Sequence, residues 1–344
     1  MTATPSTYDV CAIGNALVDI IAESTDDFLK EHNIAKGSMT LSDAERSATL
    51  YDTIGPAVEV SGGSAANTVA GIASFGGTAA FMGKVKADQF GAIFRHDLHA
   101  HGVHFATPPV TEERRQVIRD TTPDRRAGAP TGRCLILVTP DAQRSMVTYL
   151  GAAVEFGPED IQDDILRDSR VTYLEGYLFD PPEAKKAFHL AARIVREAGR
   201  TLALTLSDTF CVDRHRAEFL ELIHGKVDLL FANQSELLSL CQTNDLQTAL
   251  AQARGLGDNK IIVTTRSEKG AIIMRGQETV EVPAIAVDKV VDTTGAGDLF
   301  AAGFLFGLSR GQSLAESGHL GATAAAEVIS HYGPRPQQKL KDLI

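Results

Sequence analysis

The chain has 344 residues, 44% hydrophobic and 22% charged, a balance that excludes disorder over any large fraction and suits a large α/β core with an appendage. Its formal net charge of −11, without a long basic run, excludes a duplex-binding surface built on clustered Lys and Arg, so no nucleic-acid partner is expected. Cys11, Cys134, Cys211 and Cys241 form no CxxC pair and read as reduced, mostly buried thiols, and no segment reads as a signal or a membrane span, so a soluble, cytoplasmic chain with no membrane partner is expected.

Along the chain, short apolar runs of strand type occur at Val10–Gly14, Ala79–Gly83, Val171–Leu174, Thr201–Leu206, Asp228–Ala232, Lys260–Thr264 and Ala271–Met274. Most are continuous rather than alternating, as in strands buried on both faces. Helical patterns at Pro182–Ala198, Asp213–His224 and Asp245–Gly255 lie between them. That alternation predicts a mainly parallel sheet covered by helices, with ligands beyond the C-terminal ends of its strands. Two regions break the rhythm, Ile21–Val60 and Val103–Ala153. The second contains Arg133–Thr139 and Ser145–Leu150 joined by Pro140-Asp141, which predicts a hairpin and, with it, a small β-sheet lid. The polar stretch Thr111–Pro130 reads as an exposed loop. His96, His99, His101 and His104 read as a partly exposed face rather than a metal site.

The sharpest segment is VDTTGAGDLFAAGFLFG, Val291–Gly307. A β-type run ending near Val291, a Thr/Gly cluster and an apolar helical pattern predict strand, tight turn and helix. Gly295 and Gly297 let the backbone turn and an anion approach, and the helix start offers unpaired amides. Asp298 in the first turn is placed to take a proton from an attacking hydroxyl. Read structurally, Thr294 is an N-cap and Asp298 an acid favourable to the helix dipole. Ser61–Gly77, SGGSAANTVAGIASFGG, is a glycine turn into a small-residue helix. Asn233-Gln-Ser-Glu236 follows a strand and has the spacing of a capping box. Thr265–Gly270, TRSEKG, is a turn between two strands. No Gly-x-x-x-x-Gly-Lys-Ser/Thr loop is present, which removes the P-loop route to ATP.

Taken together and in this order, these segments resemble the ribokinase/PfkB family of carbohydrate and nucleoside kinases, over about residues 8–336. The resemblance implies a ribokinase-like three-layer α/β core, from 8–17, 62–106 and 155–344, with a discontinuous β lid from 18–61 and 107–153. It implies ATP and Mg²⁺ as cofactors. Asp298 would be the base, and the amides of Gly295, Ala296 and Gly297 the anion hole. Gly62 and Gly63 resemble the hinge between core and lid, and Asn67 the ligand of an acceptor hydroxyl. Asn233, Glu236, Thr265 and Gly270 match nucleotide-binding positions, Glu236 reaching the metal through water; Ser267 stands where the family usually has glycine. Asp292 and Ser330 would contribute to a K⁺ site near the turn. Within the family the text most resembles the adenosine kinases: IGNALVDI implies Asn15 and Asp19 facing the acceptor, DAQRSMVTYL implies Arg144 on the phosphates, and LEGYLF implies Tyr177 near a nucleobase. The small-molecule partner is then a nucleoside. A sugar kinase of the same family is the alternative, and a catalytically silent ligand-binding protein on the same fold the remote one. Either a monomer or a homodimer is compatible, because family members use the lid both as a cover and as an interface.

Overall fold

A computed structural model describes residues 6–105, 107–110, 128–141 and 143–344; most of the predicted loop at 111–130 lies outside them. Fourteen strands are described: β1 (Tyr8–Ile13), β2 (Leu17–Glu23), β3 (Met39–Leu41), β4 (Ala57–Gly62), β5 (Ala79–Met82), β6 (Val103–Phe105), β7 (Thr131–Val138), β8 (Arg144–Gly151), β9 (Ser169–Glu175), β10 (Thr201–Thr205), β11 (Leu229–Asn233), β12 (Ile261–Thr265), β13 (Ala271–Arg275) and β14 (Glu278–Val282). The described helices are α1 (Asp26–Glu31), α2 (Ala44–Thr53), α3 (Ser64–Ser74), α4 (Gln89–Ala100), α5 (Asp163–Arg167), α6 (Pro182–Glu197), α7 (Thr209–Gly225), α8 (Gln234–Leu240), α9 (Leu246–Arg254), α10 (Ala296–Ser309) and α11 (Leu314–Ile329).

Nine strands form the main sheet in the order β14-β13-β12-β11-β10-β9-β1-β5-β6. Every pairing from β12 to β6 is parallel, and only β12–β13 and β13–β14 are antiparallel. Alternation along the strands divides the apolar residues between two layers. Val10, Ala12, Tyr173, Phe231 and Val263 pack with Val69 of α3, Leu299 and Phe304 of α10 and Val328 of α11. Their neighbours Cys11, Ile13, Leu174, Leu230 and Ile262 pack with Phe188 of α6, Phe219 of α7 and Leu237 of α8. Both faces are therefore buried, which is why the strands read as continuous apolar runs. The result is the expected three-layer α/β core. Cys11, Cys134 and Cys211 are buried free thiols, and Cys241 is partly buried.

A second sheet has the order β3-β8-β7-β2-β4. Its antiparallel β7–β8 pair is the hairpin predicted around Pro140-Asp141, with Arg133 opposite Tyr149. The chain leaves β1, turns through Gly14–Ala16 and enters this sheet as β2, so Val10–Ala22 holds two strands of different sheets. It returns to the core from β4 through Gly62 and Gly63 into α3. Gly63 has φ 94°, and a Cβ there would overlap the Asn15 carbonyl oxygen; one at Gly62 would overlap the Asp19 carboxylate. Only glycine fits this crossing.

The run ending near Val291 is not a strand. β14 is already the edge of the main sheet, and the Val291 amide bonds instead to the Ile329 carbonyl at the end of α11.

Candidate active site

The C-terminal ends of β1, β9, β11 and β12 and the N-termini of α3 and α10 carry most of the residues picked out in the sequence, with Asp19 on β2 and Arg144 on β8. Gly295, not Thr294, is the N-cap of α10; it is left-handed, at φ 80°. The tight turn consumes one of the three expected amides, because Ala296 N donates to Thr293 O at 3.2 Å. The amides of Gly297 and Asp298, in the first turn of α10, have no acceptor among the described residues. A Cβ on Gly297 would meet no atom within 4 Å. Open space in front of unpaired amides is what an anion needs.

Asp298 is held from α3. Ser64 Oγ donates to its Oδ1 at 2.6 Å and Asn67 Nδ2 to its Oδ2 at 2.9 Å, while Thr68 Oγ1 donates to its backbone carbonyl. Burial pushes the Asp298 carboxyl above its ordinary range, opposed by the Ser64 and Asn67 bonds and by Arg335. Asn67 must present its amide nitrogen to a carboxylate, which only accepts. Its Oδ1 is left buried with no partner among the described residues, free to accept from an incoming hydroxyl.

Asp19, on β2, is 6% exposed, and its carboxylate has no hydrogen-bond or ion-pair partner among the described residues. Burial raises it from 3.8 to about 7, with Arg335 pulling down, Asp298 pushing up and Arg144 pulling down. A buried, unpaired carboxylate is costly, and donors from a ligand would relieve that cost. Asn15 is tied to Glu175: its backbone N–H and Nδ2 both donate to Glu175 Oε1, while Ala65 N donates to Glu175 Oε2. Glu175 is 1% exposed, and burial lifts it to about 7 against those bonds.

Tyr177 sits in the short turn after β9, its amide donating to Ser207 Oγ. Burial raises its phenol, as do the charges of Asp208, Asp298, Glu236 and Glu175. It lies within electrostatic range of both Asp298 and Glu236. At Asn233 and Glu236 the capping box is complete: Asn233 Oδ1 accepts from Glu236 N, and Glu236 Oε2 accepts from Asn233 N. Burial lifts Glu236 to about 7, with Asp208 adding to the rise. Thr265 ends β12. Ser267, at φ 52°, occupies a left-handed position where the family's usual glycine carries no strain, and Gly270 closes the turn at φ 75°.

Arg144, at the start of β8, bridges the second sheet to the turn. Its Nη1 donates to Thr294 Oγ1 at 3.1 Å, and its Nη2 lies 2.6 Å from Asp292 Oδ2, an ion pair by proximity more than by aligned N–H direction. Asp292 also accepts from the amides of Thr294 and Gly333. The carboxylate that the resemblance assigns to a monovalent cation thus answers a guanidinium here. Ser330 donates to the Glu327 carbonyl.

Ser64, Glu175 and Arg335 were not singled out in the sequence. Ser64 lies inside SGGSAAN, and Glu175 ends a strand where ligands gather, so both had a signal. Arg335, in a Pro/Gly-rich segment, had none. Among the described residues no three His, Cys, Asp or Glu side chains converge to hold a metal. No described helix is long and apolar enough to cross a membrane.

Comparison with known proteins agrees with this fold. The pfkB family carbohydrate kinase model matches residues 9–340. The crystal structure of adenosine kinase from Sinorhizobium meliloti is 51% identical, with a TM-score of 0.87 and 98% of both chains covered. That of a probable sugar kinase from Rhizobium etli is 50% identical, with the same score and coverage. Adenosine kinase of Saccharomyces cerevisiae is 27% identical over 97% of this chain and 98% of its own. With the family model matching residues 9–340 and the fold aligning over almost the whole chain, the protein belongs to the pfkB family of carbohydrate kinases and is an ATP-dependent kinase acting on a hydroxyl.

Proposed function

We propose that the acceptor is a nucleoside, adenosine, phosphorylated at its primary hydroxyl. The observation that supports a hydroxyl-rich acceptor is the buried Asp19 carboxylate, without a donor, within electrostatic reach of Asp298; the choice of a nucleoside rests on similarity to adenosine kinases. Vicinal ribose hydroxyls are the neutral donors that would satisfy it, leaving the primary hydroxyl toward Asn67 Oδ1 and Asp298. The adenosine kinases of S. meliloti and yeast, similar over nearly the full length, supply the base.

Asp298 accepts the proton from the attacking oxygen; a carboxyl raised by burial is a better base near neutral pH than an ordinary one. Ser64 and Asn67 fix its two oxygens, so the proton acceptor is oriented before the acceptor arrives. The amides of Gly297 and Asp298 hold the charge that develops on the transferred phosphoryl group. Arg144 is placed to exchange its Asp292 contact for the phosphates as the second sheet closes and expels water. Glu236 and the Asn233 corner would hold Mg²⁺ through water; when bound, the ion neutralises phosphate charge.

A sugar acceptor is the second reading, and a specific observation favours it: the R. etli relative, as similar as the S. meliloti one, is named a probable sugar kinase. Both acceptor classes use Asp19, Asn67 and Asp298, so only the base separates them. A purine adds apolar surface whose burial stabilises by roughly 25 cal/mol per Å² before ordering costs. Side-by-side kinetics at fixed Mg-ATP test the choice. Adenosine should show the higher kcat/KM; ribose or fructose ahead by about tenfold, some 1.4 kcal/mol, sinks the nucleoside reading and leaves the kinase intact.

A further inference from the structure

Arg335 lies in the segment after α11, far in sequence from both the glycine crossing and the base. Its Nη2 donates to Ser61 O and Ser61 Oγ, both at 2.8 Å, and its Nη1 donates to Ala66 O at 3.0 Å. Ser61 belongs to β4 in the second sheet, and Ala66 to α3 in the core. The guanidinium therefore grips the chain on both sides of Gly62–Gly63, the crossing where only glycine fits. Ser61 is fixed from the other side as well, since its N–H and Oγ both donate to Asp97 Oδ2 of α4. The planar fork of arginine can meet two separate carbonyls at once, which a lysine ammonium on a single axis does poorly.

The same guanidinium faces the reaction centre. Its charge acts on Asp19 and Asp298 as well as on Asp97, and it adds to burial in lowering His101 beside Asp97. Its Nε is shielded from solvent and has no partner among the described residues. Gly333, two residues before it, donates to Asp292, the carboxylate beside the anion-hole turn. One short segment thus bonds Asp292 beside the turn through Gly333, and the crossing between the sheets through Arg335.

We propose that Arg335 is a positioning residue for phosphoryl transfer: its clamp across Gly62–Gly63 sets how the second sheet seats on the core and holds Asp19 and Asp298 in register around the acceptor. The proposal rests on the reading of Asp298 as the base. Removing the positive charge also leaves Asp298 facing Asp19, Glu175, Tyr173 and Tyr177 with one cation fewer. Its proton then binds more tightly, and the acidic limb of the pH profile moves to higher pH.

The test compares Arg335→Met and Arg335→Lys with the wild-type full chain, using whichever of adenosine, ribose or fructose the wild type turns over best, at saturating Mg-ATP. Arg335→Met should raise the acceptor KM roughly tenfold, as for one lost charge-assisted hydrogen bond. It should also shift the acidic limb of kcat/KM upward by about one pH unit, the size expected for losing a nearby opposite charge. Arg335→Lys should return the limb to its wild-type position while the acceptor KM stays raised, because charge is restored and the two-sided grip is not. Wild-type KM and wild-type limb in both variants overturn the proposal. So does a loss confined to the fraction of folded enzyme, which is what a purely structural arginine gives. Should the Met variant fail to fold, the Lys variant decides alone: a wild-type acceptor KM overturns the clamp. A sugar preference in the wild type removes the nucleoside reading without touching this comparison, and a fully active Asp298→Asn removes the base while leaving the KM readout valid.

Discussion

Replacing Asp19 by Asn separates what the residue does for binding from what it costs the empty protein. The sign follows from the carboxyl being raised in the fold, from 3.8 to about 7. Below the lower value both states are protonated and nothing is lost. As pH rises between the two values the unfolded chain ionises first, so the folded state loses stability, and the loss is complete above the upper value. At about 1.4 kcal/mol per pH unit, the penalty approaches ~4 kcal/mol near pH 8 and falls below ~2 kcal/mol near pH 5. Asn keeps the shape, removes the charge and returns part of the gain as roughly 1–3 kcal/mol for burying an unpaired amide. Asp19→Asn should therefore melt a few degrees higher than wild type near pH 8, at roughly 1–2 °C per kcal/mol for a chain of this length, with the gap shrinking toward pH 5. In the same variant, acceptor kcat/KM should fall by about 10²-fold, as for one or two hydrogen bonds to a charged group. Thermal unfolding without ligand at both pH values, paired with acceptor kinetics, checks both halves. A variant that melts no higher than wild type near pH 8, or by a margin that ignores pH, refutes the reasoning that an unpaired carboxylate is kept there for a ligand.

Gly297→Ala fills open space in the free protein and should fold normally, with stability changed by less than about 1 kcal/mol. The new methyl stands in front of the free amides, so turnover should fall roughly 10²-fold, as when one donor to a developing anion is lost; a fully active variant moves the anion hole elsewhere. Saturating acceptor should slow amide hydrogen exchange in β2, β4, β7 and β8, since closing the second sheet buries its backbone; unchanged exchange there argues against a substrate-driven lid.

Much of this architecture is readable in the sequence for physical reasons. β9, β10, β11 and β12 are continuous apolar runs because helices cover both faces of the sheet, and the hairpin β7–β8 announces itself through Pro140-Asp141. The run near Val291 misleads because its β-branched residues prefer extended backbone, while the strand positions at that edge are already taken by β14. β2 is masked by its continuity with β1: three residues suffice to change sheets, and hydrophobicity alone does not mark the change. In the site, Asn67 and Asp298 come together through a hydrogen bond, and the Gly62–Gly63 pair lies at the crossing between the sheets. Asn15 bonds Glu175 through its backbone N–H and Nδ2, and no local pattern shows a partner 160 residues away. Asn233–Glu236 forms its capping box in full, so that pattern is accounted for by helix geometry before any ligand is invoked. Arg335 is invisible in the sequence because its role comes from packing against Ser61 and Ala66, not from a motif.

The account depends most on Asp298 as the proton acceptor, and Asp298→Asn tests that directly. The substitution spares the fold, since Ser64 Oγ, now a donor to Oδ1, can rotate to accept from the new amide. Single-turnover phosphoryl transfer with adenosine and Mg-ATP, alongside equilibrium binding of each, should show both ligands still bound and the transfer rate down by about 10²–10⁴-fold. Near-normal transfer in the folded variant contradicts the central claim.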